Sequence, residues 1–343
     1  MEDECTIDEF SDTISRVKGL RAHLRSVIKG QEDAIDKTCS VLERGACNLA
    51  PSDRPLGSFL FAGPTGVGKT ELTKCFTHYL FGEEHRLLRF DMSEYQNKEQ
   101  LEVLLGDGNN SQGQIGRLFD LNRDGDGQLK GGTILLDEIE KAHPDILLIL
   151  LQVLEDARLT LRDGTLLNLS NFYIVMTSNI GASEAMEMRK SSVETVERVV
   201  FSLIKETLRP ELVGRITEYV VFNRLEYGVQ VDVAKLLLQR EVDRLNRKLG
   251  CAIIYDEGVL ELILIEGFDV RFGARPLRKC IERLVGSALV EQILRGIRPT
   301  GKLIVSEVSS TLVFLVTSPP GVCSKLLVDQ DEGVSSVNEE FSR

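Results

Sequence analysis

The sequence predicts an α/β fold, a parallel sheet sandwiched by helices, followed by a smaller, mainly helical C-terminal lid domain. Three observations carry that expectation. Strand-like apolar runs at 58–62, 87–90, 133–136 and 172–177 alternate with helical periodicity, the pattern of a parallel sheet covered on both faces. The run at 133–136 is almost wholly apolar, as a central strand buried on both sides must be. Past residue 225 the pattern changes to long amphipathic helices separated by short strands.

Taken in order, residues 1–13 read as an acidic N-terminal tail. Ile14, Val17, Leu20, Leu24, Val27 and Ile28 then recur at helical spacing, which predicts a first helix over 14–28. A second helix is expected from Glu32 to about Ala46, and PSDRP at 51–55 turns the chain into the first strand. The large domain is expected over 14–224. In the lid domain, 225–317, helices are expected over 231–249, 257–265 and 276–295, with Asp256 as the N-cap of the middle one. Short strands are expected at 251–255, 303–305 and 312–316. The Pro-, Gly-, Ser- and acid-rich stretch 318–343 reads as a disordered tail.

Composition narrows the function classes. A net charge of −12 argues against nucleic acid as the default partner, because neutralising phosphates takes clustered Lys and Arg. The seven cysteines are odd in number and form no C-x-x-C pair, which fits reduced thiols in the cytoplasm better than a disulfide framework or a zinc site. No signal peptide is visible, and the longest apolar stretch, 146–154, is too short to span a membrane.

Residues 63–70 read GPTGVGKT and fill every slot of G-x-x-x-x-G-K-[ST]. Gly63, Gly66 and Gly68 lack Cβ, so the backbone through Pro64, Thr65 and Val67 can curl and aim consecutive N–H groups at a polyphosphate. Lys69 adds a charge near the β- and γ-phosphates, and the Thr70 hydroxyl is placed to ligate Mg²⁺. Leu72, Cys75, Phe76, Tyr79 and Leu80 form a stripe on the next helix, so the loop sits at a helix N-terminus. The chain is therefore expected to bind a nucleoside triphosphate. A second element, TILLDEIEKAHP at 133–144, ends an apolar strand in Asp137 and Glu138, at the lip where open α/β sheets bind ligands. Asp137 is the candidate Mg²⁺ carboxylate, and Glu138 the candidate group to orient and deprotonate the attacking water. Together with the glycine loop this points to hydrolysis.

Further blocks follow in order: Val27-Ile28 with Gly30-Gln31, FDMSEY at 90–95, LLQVLEDARLT at 150–160, VMTSNIG at 175–181, LRPELVGR at 208–215 and FGARPLR at 272–278. With the two motifs above, they resemble the AAA+ superfamily, specifically the C-terminal ATPase module of the Clp/ClpB type of unfoldase and disaggregase. The likeness runs from about residue 14 to 307. It implies ATP with Mg²⁺, and Val27 and Ile28 packed on the adenine. Asn179 resembles the polar sensor that holds the lytic water. Arg275 resembles the second sensor, contributed by the C-terminal domain. Arg215 resembles the arginine finger that reaches a neighbouring subunit's site, so a homohexameric ring that remodels protein clients is implied.

Three departures shape that expectation. The segment GDGNNSQGQIGR, 106–117, stands where threading members carry an aromatic-Val-Gly tip. It holds no Tyr, Phe or Trp, and Ile115 reads as its only sizeable apolar residue. An ATP-dependent assembly switch that threads nothing is therefore the alternative function. No Ile-Gly-Phe or Ile-Gly-Leu loop follows Asn179, so docking to a Clp-type peptidase is not expected. With no first ATPase module upstream, a single ring is expected, with any adaptor a separate protein. The stretch DLNRDGDGQLKG, 120–131, imitates a calcium loop but has Gly131 where a bidentate Glu is needed, and it reads as a solvated connection.

Overall fold

The computed structural model describes residues 7–106, 113–123, 125, 127, 129–188, 191–269, 272–306 and 311–315. The tail beyond 315 and the first six residues lie outside that range. Helix α1 (Ile7–Val27) starts earlier than its apolar repeat at 14–28 suggested, so part of the expected tail is helical. Helix α2 (Glu32–Ala46) falls where periodicity placed it.

Strands β1 (Gly57–Ala62), β2 (Leu87–Asp91) and β3 (Gly132–Asp137) are connected by α3 (Lys69–Phe81), α4 (Lys98–Leu105) and α5 (Gly113–Asp120). After β3 come α6 (Pro144–Asp156), a hairpin of β4 (Arg158–Thr160) and β5 (Leu166–Asn168), and β6 (Phe172–Ser178). Helices α7 (Ala182–Glu187), α8 (Val193–Thr207) and α9 (Pro210–Val213) lead to β7 (Glu218–Val221). The main sheet has the order β2-β3-β6-β1-β7 and is parallel throughout.

Every residue of β1, β3 and β6 is buried, which explains their unbroken apolar runs. Alternation divides the contacts: Leu60 and Ala62 face a core shared with α4, α5, α6 and α8, whereas Phe59 and Phe61 face α1, α2 and α3. Strand β7 and the β4–β5 hairpin were not foreseen. Ile115 is a correction. It lies on α5 rather than in a loop, partly buried against the first core, four residues before the fully packed Phe119. Positions 107–112, where an aromatic tip would sit, fall outside the described residues.

From α10 (Tyr227–Leu249) onward the chain builds its own core. Helices α11 (Glu257–Gly267) and α12 (Arg275–Leu294) pack with α10 beside a small sheet of β8 (Ile253–Tyr255), β9 (Gly301–Val305) and β10 (Leu312–Leu315). The Asp256 side chain accepts from the Val259 N–H at 3.2 Å, the N-cap the sequence indicated. Asp256→Ala is expected to cost about 1 kcal/mol, read as a lower midpoint in chemical denaturation. An unchanged midpoint would show that the cap contributes nothing.

Candidate functional site: a cavity between sheet, glycine loop and lid

The glycine loop joins the C-terminal end of β1 to the N-terminus of α3, and its backbone does what the sequence required. Gly63, Gly66 and Gly68 have φ of +138°, +75° and +116°, conformations in which a side chain is strained. At Gly66 there is also no room, because a Cβ would lie 2.2 Å from the Phe272 carbonyl oxygen. The lid thus docks on the loop through bare backbone, with the Ala274 N–H donating to the Gly66 carbonyl at 3.0 Å.

Lys69, Thr70, Asp137, Glu138, Asn179 and Arg275 line one cavity of about 310 Å³, together with Val27, Ile28 and the loop from Thr65 to Gly68. Gly63 and Pro64 enter through their carbonyl oxygens, which accept from the Lys69 ammonium, at 2.9 Å for Pro64. Lys69 also donates to Asn179 Oδ1 at 3.0 Å. Burial pushes this lysine down to about 8. The carboxylates of Glu140, Asp137 and Glu138 pull the other way, while Arg275 adds to the depression. An ammonium held at that cost is poised for a ligand carrying more negative charge than the protein supplies.

Asp137 is buried, and its Oδ1 accepts the hydroxyls of Thr177 at 3.0 Å and Thr70 at 3.3 Å. Its Oδ2 accepts from Arg89 Nε at 2.6 Å. Glu138 adopts φ +58°, ψ +52°, a left-handed conformation that costs a non-glycine residue free energy. That kink turns its carboxylate from the strand end into the cavity. There Lys141 pairs with Oε2 at 2.5 Å and Asn179 Nδ2 donates to Oε1 at 3.4 Å.

At the other end Val27, Ile28, Leu225, Val233, Leu236 and Leu237 make an apolar slot, with Lys74, Arg240 and Arg278 among the cations around it. Arg275, the first residue of α12, and Arg278, one turn later, reach the cavity from the lid. Arg215 does not line this cavity. It follows α9 and pairs with Glu155 of α6 at 2.7 Å.

Several site residues escaped the sequence reading. Arg89, Thr177 and Glu140 each bind a foreseen group, Glu140 by accepting the Asn179 N–H at 3.1 Å. An arginine and a threonine inside otherwise apolar strands were the available signals. Gln31 is buried and ties the helix start to Val67 and Asn223, which holds the glycine loop against the end of β7.

A parallel sheet with a glycine loop after β1, paired acids after β3 and a helical lid over both defines a P-loop nucleotide-binding module of the AAA class. The family comparisons agree in detail. Residues 54–219 match the AAA domain (Cdc48 subfamily), and residues 225–305 match the C-terminal D2-small domain of ClpB protein. The chain belongs to the AAA+ ATPases of the Clp/ClpB type. It is 36% identical over 301 residues to the chaperone protein ClpB of Oceanobacillus iheyensis, covering 83% of this chain and 36% of that one. Against the chloroplastic chaperone protein ClpD1 of Oryza sativa subsp. japonica it is 37% identical over 305 residues, 85% of this chain and 32% of that protein. Against the ATP-dependent Clp protease ATP-binding subunit ClpC of Staphylococcus epidermidis it is 35% identical over 303 residues, 84% and 36% of the two chains. The chain thus spans about a third of the length of these relatives. No helix among the described residues is long and apolar enough to cross a membrane.

Proposed function

We propose that this chain hydrolyses ATP and works in an oligomeric ring, a homohexamer by family resemblance, to remodel protein clients. The observation that carries the reading is the convergence of Lys69, Thr70, Asp137, Glu138, Asn179 and Arg275 on one cavity with an apolar slot beside it. In this reading the slot takes the adenine against Val27 and Ile28, and Lys69 with the loop N–H groups takes the β- and γ-phosphates. The facing Thr70 hydroxyl and Asp137 carboxylate are hard oxygen donors suited to Mg²⁺. Bound Mg²⁺ would neutralise charge on the phosphates during transfer. Glu138 orients and deprotonates the attacking water, with Asn179 holding both Glu138 and Lys69 in register. Arg275 reports the γ-phosphate to the lid, and Arg215 acts on the neighbouring copy's site.

The names of the relatives, chaperones and Clp protease subunits, favour remodelling over a switch that threads nothing. The acidic balance of −12 argues against nucleic acid as the moved substrate. Five free cysteines among the described residues support a reducing, cytoplasmic compartment.

Glu138→Gln keeps the shape and the hydrogen bond from Asn179 but removes the base. It is expected to bind ATP like the parent, lose about 10²-fold or more in turnover, and arrest unfolding of a model client. Normal turnover in this variant would remove Glu138 from its role. ATP turnover with no client ever remodelled would overturn the remodelling reading.

A further inference from the structure

The carboxylate assigned to the metal already holds a cation of its own chain. Asp137 is almost wholly buried, its side chain 7% exposed, and a buried carboxylate needs a counter-charge. Arg89 provides it at 2.6 Å through Oδ2, while Oδ1 is taken by two hydroxyls. Strand alternation puts the arginine there. Leu88 and Phe90 of β2 enter one core, so Leu87, Arg89 and Asp91 face the side where α3 and the glycine loop lie. The register sets Asp91 beside Asp137, so Arg89, one pleat back, reaches along the sheet to the carboxylate. Because β2 is an edge strand and the Arg89 side chain is 48% exposed, the guanidinium has solvent to withdraw into.

We propose that Arg89 is a placeholder counter-ion: it occupies the Asp137 carboxylate in the nucleotide-free protein and yields it to Mg²⁺ when nucleotide binds. The ion pair thereby sets the Mg²⁺ concentration at which nucleotide is held. The inference rests on the ATP–Mg²⁺ reading above. Its logic is competition. A guanidinium stays charged at any working pH, so proton loss cannot release the pair, and Mg²⁺ facing Thr70 at Oδ1 would draw on the same single carboxylate charge that Arg89 holds at Oδ2. Whatever stabilises the Arg89–Asp137 pair in the empty site is therefore lost on Mg²⁺ binding and weakens it by the same factor.

The test compares Arg89→Gln, Arg89→Lys and the parent, using a fluorescent ATP analogue titrated with Mg²⁺, and thermal unfolding with and without both ligands. Arg89→Gln is expected to half-saturate at a Mg²⁺ concentration lower by about fivefold or more. Its nucleotide-free form melts below the parent, and the gap closes when Mg²⁺ and nucleotide saturate the site. Arg89→Lys, which keeps the charge, restores the parent melting temperature. An unchanged or higher Mg²⁺ midpoint in Arg89→Gln overturns the proposal, as does a melting gap that persists in the loaded protein, the mark of a structural strut. Failure of the parent to bind the analogue at any Mg²⁺ concentration removes the underlying nucleotide reading instead.

Discussion

Lys69→Ala is expected to abolish nucleotide binding while leaving the fold intact. Lys69 is 8% exposed and its ammonium donates to the carbonyls of Gly63 and Pro64 and to Asn179, so its position is fixed before a ligand arrives. Truncating one partner of a buried charge pair costs about 2–5 kcal/mol, which weakens a triphosphate by roughly 30-fold at the least. The control is stability. Burial holds this lysine near 8, below its ordinary value, so at neutral pH it keeps its proton at a cost to folding, and that cost falls away as pH rises from about 8 toward the ordinary lysine value of 10.5. Removing the ammonium therefore relieves a cost, and nucleotide-free Lys69→Ala should melt close to the parent. Loss of binding together with a large drop in melting temperature would mean that the lysine supports the fold rather than the ligand.

Arg215→Ala is expected to bind ATP as tightly as the parent and to lose turnover by on the order of 10³-fold or more. The reason is its place. Arg215 pairs with Glu155, away from the residues that line the chain's own cavity, so in the reading proposed here its charge serves a site on another copy. The Glu155 side chain is 53% exposed, which makes the ion pair inexpensive to exchange for a phosphate. ATP affinity measured by competition and turnover measured on the same preparation separate the two effects. Normal turnover would reduce Arg215 to a surface ion pair.

Much of this site was legible because its motifs are local. The glycine loop needs positive φ at fixed spacing, and the glycines at 63, 66 and 68 declared it. The acids at 137 and 138 announced themselves by ending a buried strand. What stayed hidden depends on contacts between distant segments. Strand β7 is a four-residue edge strand whose partner, β1, lies far away in sequence. The Arg89–Asp137 pair exists only once β2 and β3 are in register, although an arginine between Leu88 and Phe90 was a visible anomaly. Ile115 was misplaced for a different reason. Its segment is rich in Gly, Asn and Gln, and the Ile115–Phe119 spacing that signals a helix was outweighed by those loop-like neighbours.

If ATP is cleaved where two copies meet, mixing two inactive variants restores turnover. Lys69→Ala cannot fill its own site, and Arg215→Ala cannot complete its neighbour's, so each alone should be inactive. In mixed rings, an intact Lys69 and Glu138 from the Arg215→Ala copy meet an intact Arg215 from the Lys69→Ala copy, and hydrolysis should reappear. Turnover that rises to a maximum at intermediate ratios is the expected result. Two variants that cross-link into common rings yet stay inert at every ratio would contradict it.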